Sequence, residues 1–285
     1  MRMALGLEYA GEAFNGWQSQ VCGTTVQDCV ETALSRFTGR AVRVYCAGRT
    51  DAGVHATAQV VHLDTEIQRP LSGWVRGVNS LLMQQRAEGV SVLWASEVGG
   101  QFHARFSARA RRYRYVLYNA PVRPALLARR VGWAHRPLDV ALMHKAARCL
   151  VGEHDFSAFR ATACQARSPV RQMYAVRVMR EGGFVLFDFY ANAFLYHMVR
   201  NLVGALVAVG SGAQSPTWLS AVLAGGDRRE AAPTFAAEGL YLCGIEYPGY
   251  PMLPQQGKIT RLPVLGIMEG EGVAYADKDL RSDPG

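Results

Sequence analysis

The sequence predicts an α+β chain built from two β-α-β-β-α-β units in tandem. Three observations predict it. Apolar residues recur at helical spacing in some segments and alternate in others. The order of these segments runs once through the first hundred residues and then recurs. At 285 residues, 49% hydrophobic and 19% charged, the chain can bury two modest cores and is not composed like a disordered one.

Residues 3–9 read as a strand. Residues 25–37 read as a helix, with Val26, Val30, Leu34 and Phe37 on one face and Thr25 with Asp28 as its start signal. Residues 42–47 and 59–63 read as strands, 70–82 as a second helix and 90–97 as a closing strand. The second unit opens at 112–118, where basic or polar residues alternate with bulky ones. Residues 139–150 follow as a helix, with Val140, Met143, Ala147 and Leu150 on one face. Strands 173–180 and 184–190 are joined by the hairpin signal Glu181-Gly182-Gly183. Helices at 194–209 and 216–223 lead to a closing strand at 240–247. The repeat is one of pattern, not of letters. It predicts two ferredoxin-like halves, 1–104 and 105–250, with the boundary near 99–106. A Pro- and Gly-rich extension, 251–285, follows and is expected to be peripheral or disordered beyond Gly266.

The charge is unevenly placed. The net +8 hides a block at residues 105–180 with 16 basic and 3 acidic groups. Nearly all its cations are Arg, whose planar fork suits phosphates and whose face stacks on bases. Other classes lose their signatures. The longest apolar run, 202–209, is far too short for a membrane span. The N-terminus reaches Glu8 too early for a secretion signal, so a cytoplasmic location is expected. Six scattered cysteines without a C-x-x-C pair read as reduced thiols. The seven histidines show no metal-ligand spacing, so no metal is expected. Neither a Walker A nor a G-x-G-x-x-G motif is found.

Three segments could carry chemistry. In Ala47-Gly48-Arg49-Thr50-Asp51-Ala52-Gly53-Val54-His55, a carboxylate sits on a tight loop between two strands. That placement suits a nucleophile, although an Asp among glycines more commonly caps a turn. From Phe102 to Tyr115, Arg and aromatic residues interleave. On a strand, Tyr113 and Tyr115 share one face while Arg112 and Arg114 share the other. Contact with RNA phosphates and bases, or an edge strand with Arg in solvent and Tyr in the core, both remain open. In Phe194–Gly204, Arg200 and Asn201 interrupt an apolar helix. Arg200 must find a carboxylate partner or lie on the exposed side. His197 reads as a satisfied core or interface histidine rather than a ligand.

These strings, with Gly16-Trp17-Gln18-Ser19-Gln20, Gly152-Glu153-His154-Asp155-Phe156-Ser157 and Ala237-Glu238-Gly239-Leu240-Tyr241-Leu242, resemble the tRNA pseudouridine synthase A family from Leu5 to about Leu265. The family's two ferredoxin-like halves, with a central RNA-binding cleft between their sheets, agree with the repeat. The resemblance implies an enzyme that isomerises uridine to pseudouridine in the anticodon stem-loop of tRNA, at positions 38–40. It implies that Asp51 is the catalytic aspartate. Tyr113 would stack on the target base and assist proton removal from C5, and Arg200 would pair with the catalytic carboxylate. Arg49 would lie near the flipped nucleotide and Leu240 would line the base pocket. Apart from the resemblance, Arg112 and Arg114 are expected as further substrate contacts from their place in the Arg-rich, aromatic-interleaved segment. A homodimer is implied too, with 184–190 as a plausible interface.

The chemistry suits these roles. The N1–C1′ bond breaks, the uracil turns, and C5 bonds to C1′, so no cofactor is expected. A nucleophilic carboxylate must be ionised, which a neighbouring guanidinium favours. Covalent attack on C1′ and deprotonation at C2′ giving a glycal both remain open. The target base must leave its stack, at a cost of a few kcal/mol. Two departures from the family stand out: Ala10-Gly11 after Tyr9 in place of an acid, and residues 83–89 in place of a Pro-containing turn. The competing readings are an inactive RNA-binding or folding module of the same fold and an enzyme acting on a small phosphorylated molecule.

Overall fold

The computed structural model describes residues 1–21 and 23–254. The expected extension beyond Gly266 lies outside the described residues. The first unit runs β1 (Arg2–Tyr9), α1 (Val26–Thr38), β2 (Tyr45–Cys46), β3 (His55–Asp64), α2 (Leu71–Gln84) and β4 (Val90–Val98). The second runs β5 (Ala110–Asn119), β6 (Gly132–Ala134), α3 (Val140–Ala147), β7 (Gly152–Asp155), β8 (Val170–Glu181), β9 (Phe184–Ala191), α4 (Met198–Gly210), α5 (Pro216–Gly225) and β10 (Leu240–Glu246).

The strands make one sheet in the order β4-β1-β3-β10-β5-β9-β8-β7, with β2 on β3 and β6 on β5. Taken by unit, the orders are β4-β1-β3-β2 and β10-β5-β9-β8. Each is the fourth-first-third-second arrangement of a β-α-β-β-α-β unit, antiparallel throughout. The two meet where β10 runs parallel to β3, Tyr241 opposite His55 and Leu242 opposite Ala56. The sheets therefore join edge to edge, and the last strand of the chain forms the seam.

Local chemistry sets the helix ends. The Thr25 hydroxyl accepts the Asp28 N–H, Asp139 accepts from Leu142, and Ser215 accepts from Trp218 ahead of Pro216. Gly39, at φ +72°, closes α1 in the left-handed region. One apolar cluster runs through both units, including Leu5, Leu34, Trp74, Tyr115, Phe187 and Leu206. A smaller one, Val116, Val131, Leu186 and Tyr241, lies on the other face of β5 and β10.

The structure departs from the sequence reading in four places. Only two residues of the expected strand 42–47 pair, because β2 and β10 share one edge of β3 and the chain leaves it at Ala47. Strands β6 and β7, of three and four residues, carry too few positions for an alternation to be read. Helix α4 begins at Met198 rather than Phe194, because His197 takes the left-handed conformation at φ +61°. Strand β9, expected at a subunit interface, is an interior strand: Val185 to Phe189 are buried between β5 and β8, and only Phe184 and Tyr190 at its ends are partly exposed.

Candidate active site

The loop between β2 and β3 is anchored before it presents any side chain. The buried Gln59 amide donates to the Gly48 carbonyl at 2.6 Å and accepts the Gly48 N–H at 3.4 Å. Tyr9 Oη and Thr50 Oγ1 share a hydrogen bond of 2.8 Å. Trp17 N–H donates to the Thr50 carbonyl at 3.0 Å, and the Val54 N–H closes the turn onto the Asp51 carbonyl at 3.1 Å. The approach of the 16–17 segment requires glycine at position 16. Its φ is +85°, and a Cβ there would stand 2.8 Å from the Thr50 oxygen.

The loop aims Asp51 at the first turn of α4. Arg200 Nη1 lies 3.2 Å from Asp51 Oδ2, and His197 Nε2 lies 3.4 Å from the same oxygen. The positive end of the α4 dipole favours an anion there as well. Arg200 is itself held: its Nε donates to the Phe235 carbonyl at 2.8 Å, and the Phe235 N–H returns to the Arg200 carbonyl at 3.2 Å. The neighbouring Asn201 is fully buried. Its amide donates to the Phe159 carbonyl, and its oxygen accepts from Thr234 at 2.6 Å and Arg228 at 3.2 Å. The segment that orients Arg200 is thus fixed by the next residue on the helix. Burial pushes His197 below the ordinary histidine range, Asp51 opposes that, and Arg200 and Arg228 add to it.

Asp51 and Arg200 open onto a cavity of about 930 Å³, also lined by Gly48, Arg49, Arg105, Arg111, Tyr113, Phe194, Leu195 and Leu240. That is within the usual range of ligand sites. The Tyr113 ring meets Phe194 edge-on, with centroids 5.0 Å apart, and its hydroxyl lies 3.7 Å from where a Cβ on Gly48 would stand. Burial, then the negative charge of Asp51, pushes the Tyr113 phenol well above its ordinary value. It stays protonated at neutral pH. Leu240, at the start of β10, forms an apolar wall, and Arg49 stands exposed at the rim.

Five of the residues singled out from sequence therefore meet here: Asp51, Arg200, Tyr113, Arg49 and Leu240. Arg112 and Arg114, expected at the substrate, do not line the cavity. Alternation on β5 turns them to the opposite face. There Arg112 pairs with Glu246 at 2.8 Å and lies 3.8 Å from the Tyr190 ring centroid. Arg114 grips Asp188 with two hydrogen bonds of 2.6 and 2.8 Å. Neither is an edge-strand residue in solvent, because β5 sits between β10 and β9.

Two site residues escaped the sequence reading. His197 was read as a core histidine; its signal is a position three residues before Arg200, one helical turn away. Arg111 donates to the carbonyls of Ala47, Arg105, Ala108 and Asn192. It ties the loop that carries Asp51 to the second unit, and burial lowers its pKa.

An aspartate held by a guanidinium thus faces an aromatic and an apolar wall in a cavity at the seam of two α+β units. Residues 7–107 and 146–248 match the family described as tRNA pseudouridine synthase. Proteins named tRNA pseudouridine synthase A are similar over nearly their whole length. That of Aromatoleum aromaticum is 63% identical over 92% of this chain and 98% of its own. Those of Thiobacillus denitrificans and Methylibium petroleiphilum are 58% and 57% identical, each over 90% of this chain and 98% and 97% of their own. The chain belongs to the tRNA pseudouridine synthase family, isomerases that act on tRNA. No helix among the described residues is long and apolar enough to cross a membrane.

Proposed function

We propose that this chain isomerises uridine to pseudouridine in the anticodon stem-loop of tRNA, with Asp51 as the catalytic carboxylate. One observation carries the assignment of Asp51. Both its contacts, from Arg200 and His197, fall on Oδ2, while Oδ1 makes no hydrogen bond or ion pair among the described residues. A carboxylate in the cavity lining with one oxygen held and the other unengaged is equipped for either route. In the first, Oδ1 bonds to C1′ as the N1–C1′ bond breaks and the uracil departs as an anion. In the second, Oδ1 takes the C2′ proton as the same bond breaks, leaving a glycal. In both, the uracil turns and C5 bonds to C1′, as the Oδ1–C1′ bond breaks in the first route and as Oδ1 returns the proton to C2′ in the second; the C5 proton is then lost and N1 gains one.

Arg200 holds Oδ2 at 3.2 Å. Tyr113 stacks on the flipped base, offsetting part of the unstacking cost of a few kcal/mol. As a neutral phenol it accepts the C5 proton only by passing on its own or by relay. Leu240 packs against the base, and Arg49 at the rim lies near the flipped nucleotide. Arg112 and Arg114 hold the sheet instead of the substrate. Homodimerisation and a cytoplasmic location complete the proposal, supported by resemblance to the family.

The test is release of label from C5 of uridine in unmodified tRNA. Wild type is expected to release it, and Asp51→Asn to bind tRNA without release. Full activity in Asp51→Asn sinks the mechanism. Binding without release by wild type favours the inactive RNA-binding module instead.

A further inference from the structure

Beside the cavity lies an aromatic patch that the catalytic roles do not use. Tyr45 on β2 stacks on His62 of β3, ring centroids 5.1 Å apart. His62 meets His103 at 4.6 Å, and His103 meets Phe106 at 4.3 Å. The outer rings are open to solvent, Tyr45 at 50% and Phe106 at 76% exposed. The backbone that carries Phe106 is fixed. The turn beneath it is closed by Ser107 N–H to the His103 carbonyl at 2.8 Å and His103 N–H to Ser107 Oγ at 2.9 Å. His103 Nδ1 also accepts from the backbone N–H groups of Arg105 and Phe106, at 3.2 and 3.4 Å. Exposed rings held in a fixed array form a preorganised stacking platform.

We propose that Tyr45, His103 and Phe106, backed by the buried His62, hold a second, unpaired tRNA base while the target base occupies the cavity. This rests on the tRNA reading above and deepens it. Two observations select an unpaired base as the occupant. The platform is continuous with the cavity: Ala47, two residues past Tyr45, and Arg105, next to Phe106, both line it. The charge is also complementary to a phosphate backbone. The Arg105 guanidinium stands 5.6 Å from the Phe106 centroid, and Arg49 lies on the same rim. Neither forms an ion pair among the described residues. A backbone leaving the cavity along these two cations brings the neighbouring base over the rings. Arg–aromatic surfaces that stack bases without reading them are a recurrent way to hold single strands.

The experiment uses the full chain, whole tRNA, and an RNA duplex of equal length without a loop. Phe106→Ala, a change at an exposed ring, is expected to weaken tRNA binding about tenfold and leave duplex binding unchanged. Its kcat at saturating tRNA stays near wild type, and the salt slope of binding is unaltered because no charge is removed. Phe106→Tyr keeps a ring and is expected to restore affinity. Equal tRNA affinity in wild type and Phe106→Ala overturns the proposal. So does conversion of a dimer to monomers by Phe106→Ala in sedimentation, which makes the patch a subunit contact. A wild type that binds tRNA but makes no pseudouridine defeats the proposed activity alone, and the platform is still judged by the two affinities.

Discussion

Arg114 separates a structural from a substrate role most sharply. Its side chain is 16% exposed and that of Asp188 is 7% exposed, and the two share a bidentate pair on a central strand. Burial alone lowers the pKa of Arg114, but the hydrogen bonds and charge of Asp188 outweigh it, and the net shift is upward. Arg114→Met leaves the Asp188 carboxylate buried and unpaired. Breaking one side of a buried pair costs about 3–5 kcal/mol. At roughly 2–4 °C per kcal/mol, the melting temperature should fall by about 6–20 °C. The double variant Arg114→Met with Asp188→Leu should recover most of the loss, because a well-packed apolar pair often matches a buried ion pair. Thermal unfolding of the four proteins closes the cycle, and tRNA binding across a salt series supplies a second readout. With no phosphate contact at Arg114, the slope of log affinity against log salt stays that of wild type. A stable Arg114→Met whose slope drops by about one would refute this and return Arg114 to the substrate.

Two other predictions follow from single groups. His62 is buried, and burial first, then His103 and Arg2, lowers its pKa from 6.5 to about 4. The unfolded chain takes up this proton below about 6.5 and the native chain only near 4. Stability is thus full above 6.5 and falls by up to about 3 kcal/mol as pH drops to 4. Urea midpoints between pH 7 and 5 should fall less steeply in His62→Gln than in wild type, and identical slopes would count against His62 as the source. Gly204→Ala tests the backing of Arg200. A Cβ there would stand 2.3 Å from the Pro233 carbonyl oxygen, two residues before the carbonyl that holds Arg200. It should cost about 1–3 kcal/mol and lower kcat more than it raises KM. An unchanged melting temperature and kcat would show that the segment yields without effect.

Periodicity carried the fold a long way because it reports what each face of a local element must touch. It found the main strands and helices of both units and split β5 into a Tyr face and an Arg face. It could not say which face meets the cavity. That depends on β10 lying between β3 and β5, a pairing between positions more than a hundred residues apart. Arg112 and Arg114 therefore read as RNA ligands from their neighbours in sequence, while their partners Glu246 and Asp188 lie 134 and 74 residues away. Asp51 and Arg200 are 149 residues apart, and only the resemblance of two strings brought them together. His197 was missed because its conformation is imposed by the chain entering α4, and no spacing rule reports a single left-handed residue.

The seam gives the two units a chemical reason to stay joined. Each end of the catalytic loop, and its carboxylate, is held by the second unit. At its start, Arg111 donates to the Ala47 carbonyl at 3.1 Å. At its end, His55 Nδ1 accepts the Gly11 N–H at 3.0 Å, so the ring's proton sits on Nε2. That nitrogen is 3.0 Å from the Arg129 carbonyl and 3.1 Å from that of Glu238, both in the second unit. Burial lowers the His55 pKa, which keeps this tautomer neutral. Between the ends, Arg200 holds the carboxylate itself. The first unit supplies Asp51 but none of these three restraints, and the second supplies the restraints but no carboxylate for the cavity. Strand β10 makes the arrangement cooperative: Leu240 forms a cavity wall, while on the other face Tyr241 stacks on His55 at 4.6 Å. Separating the units would release both ends of the loop and take Arg200 from Asp51, leaving only the first unit's own anchors from Tyr9, Trp17 and Gln59. The geometry of the carboxylate therefore needs the seam as well as the first unit.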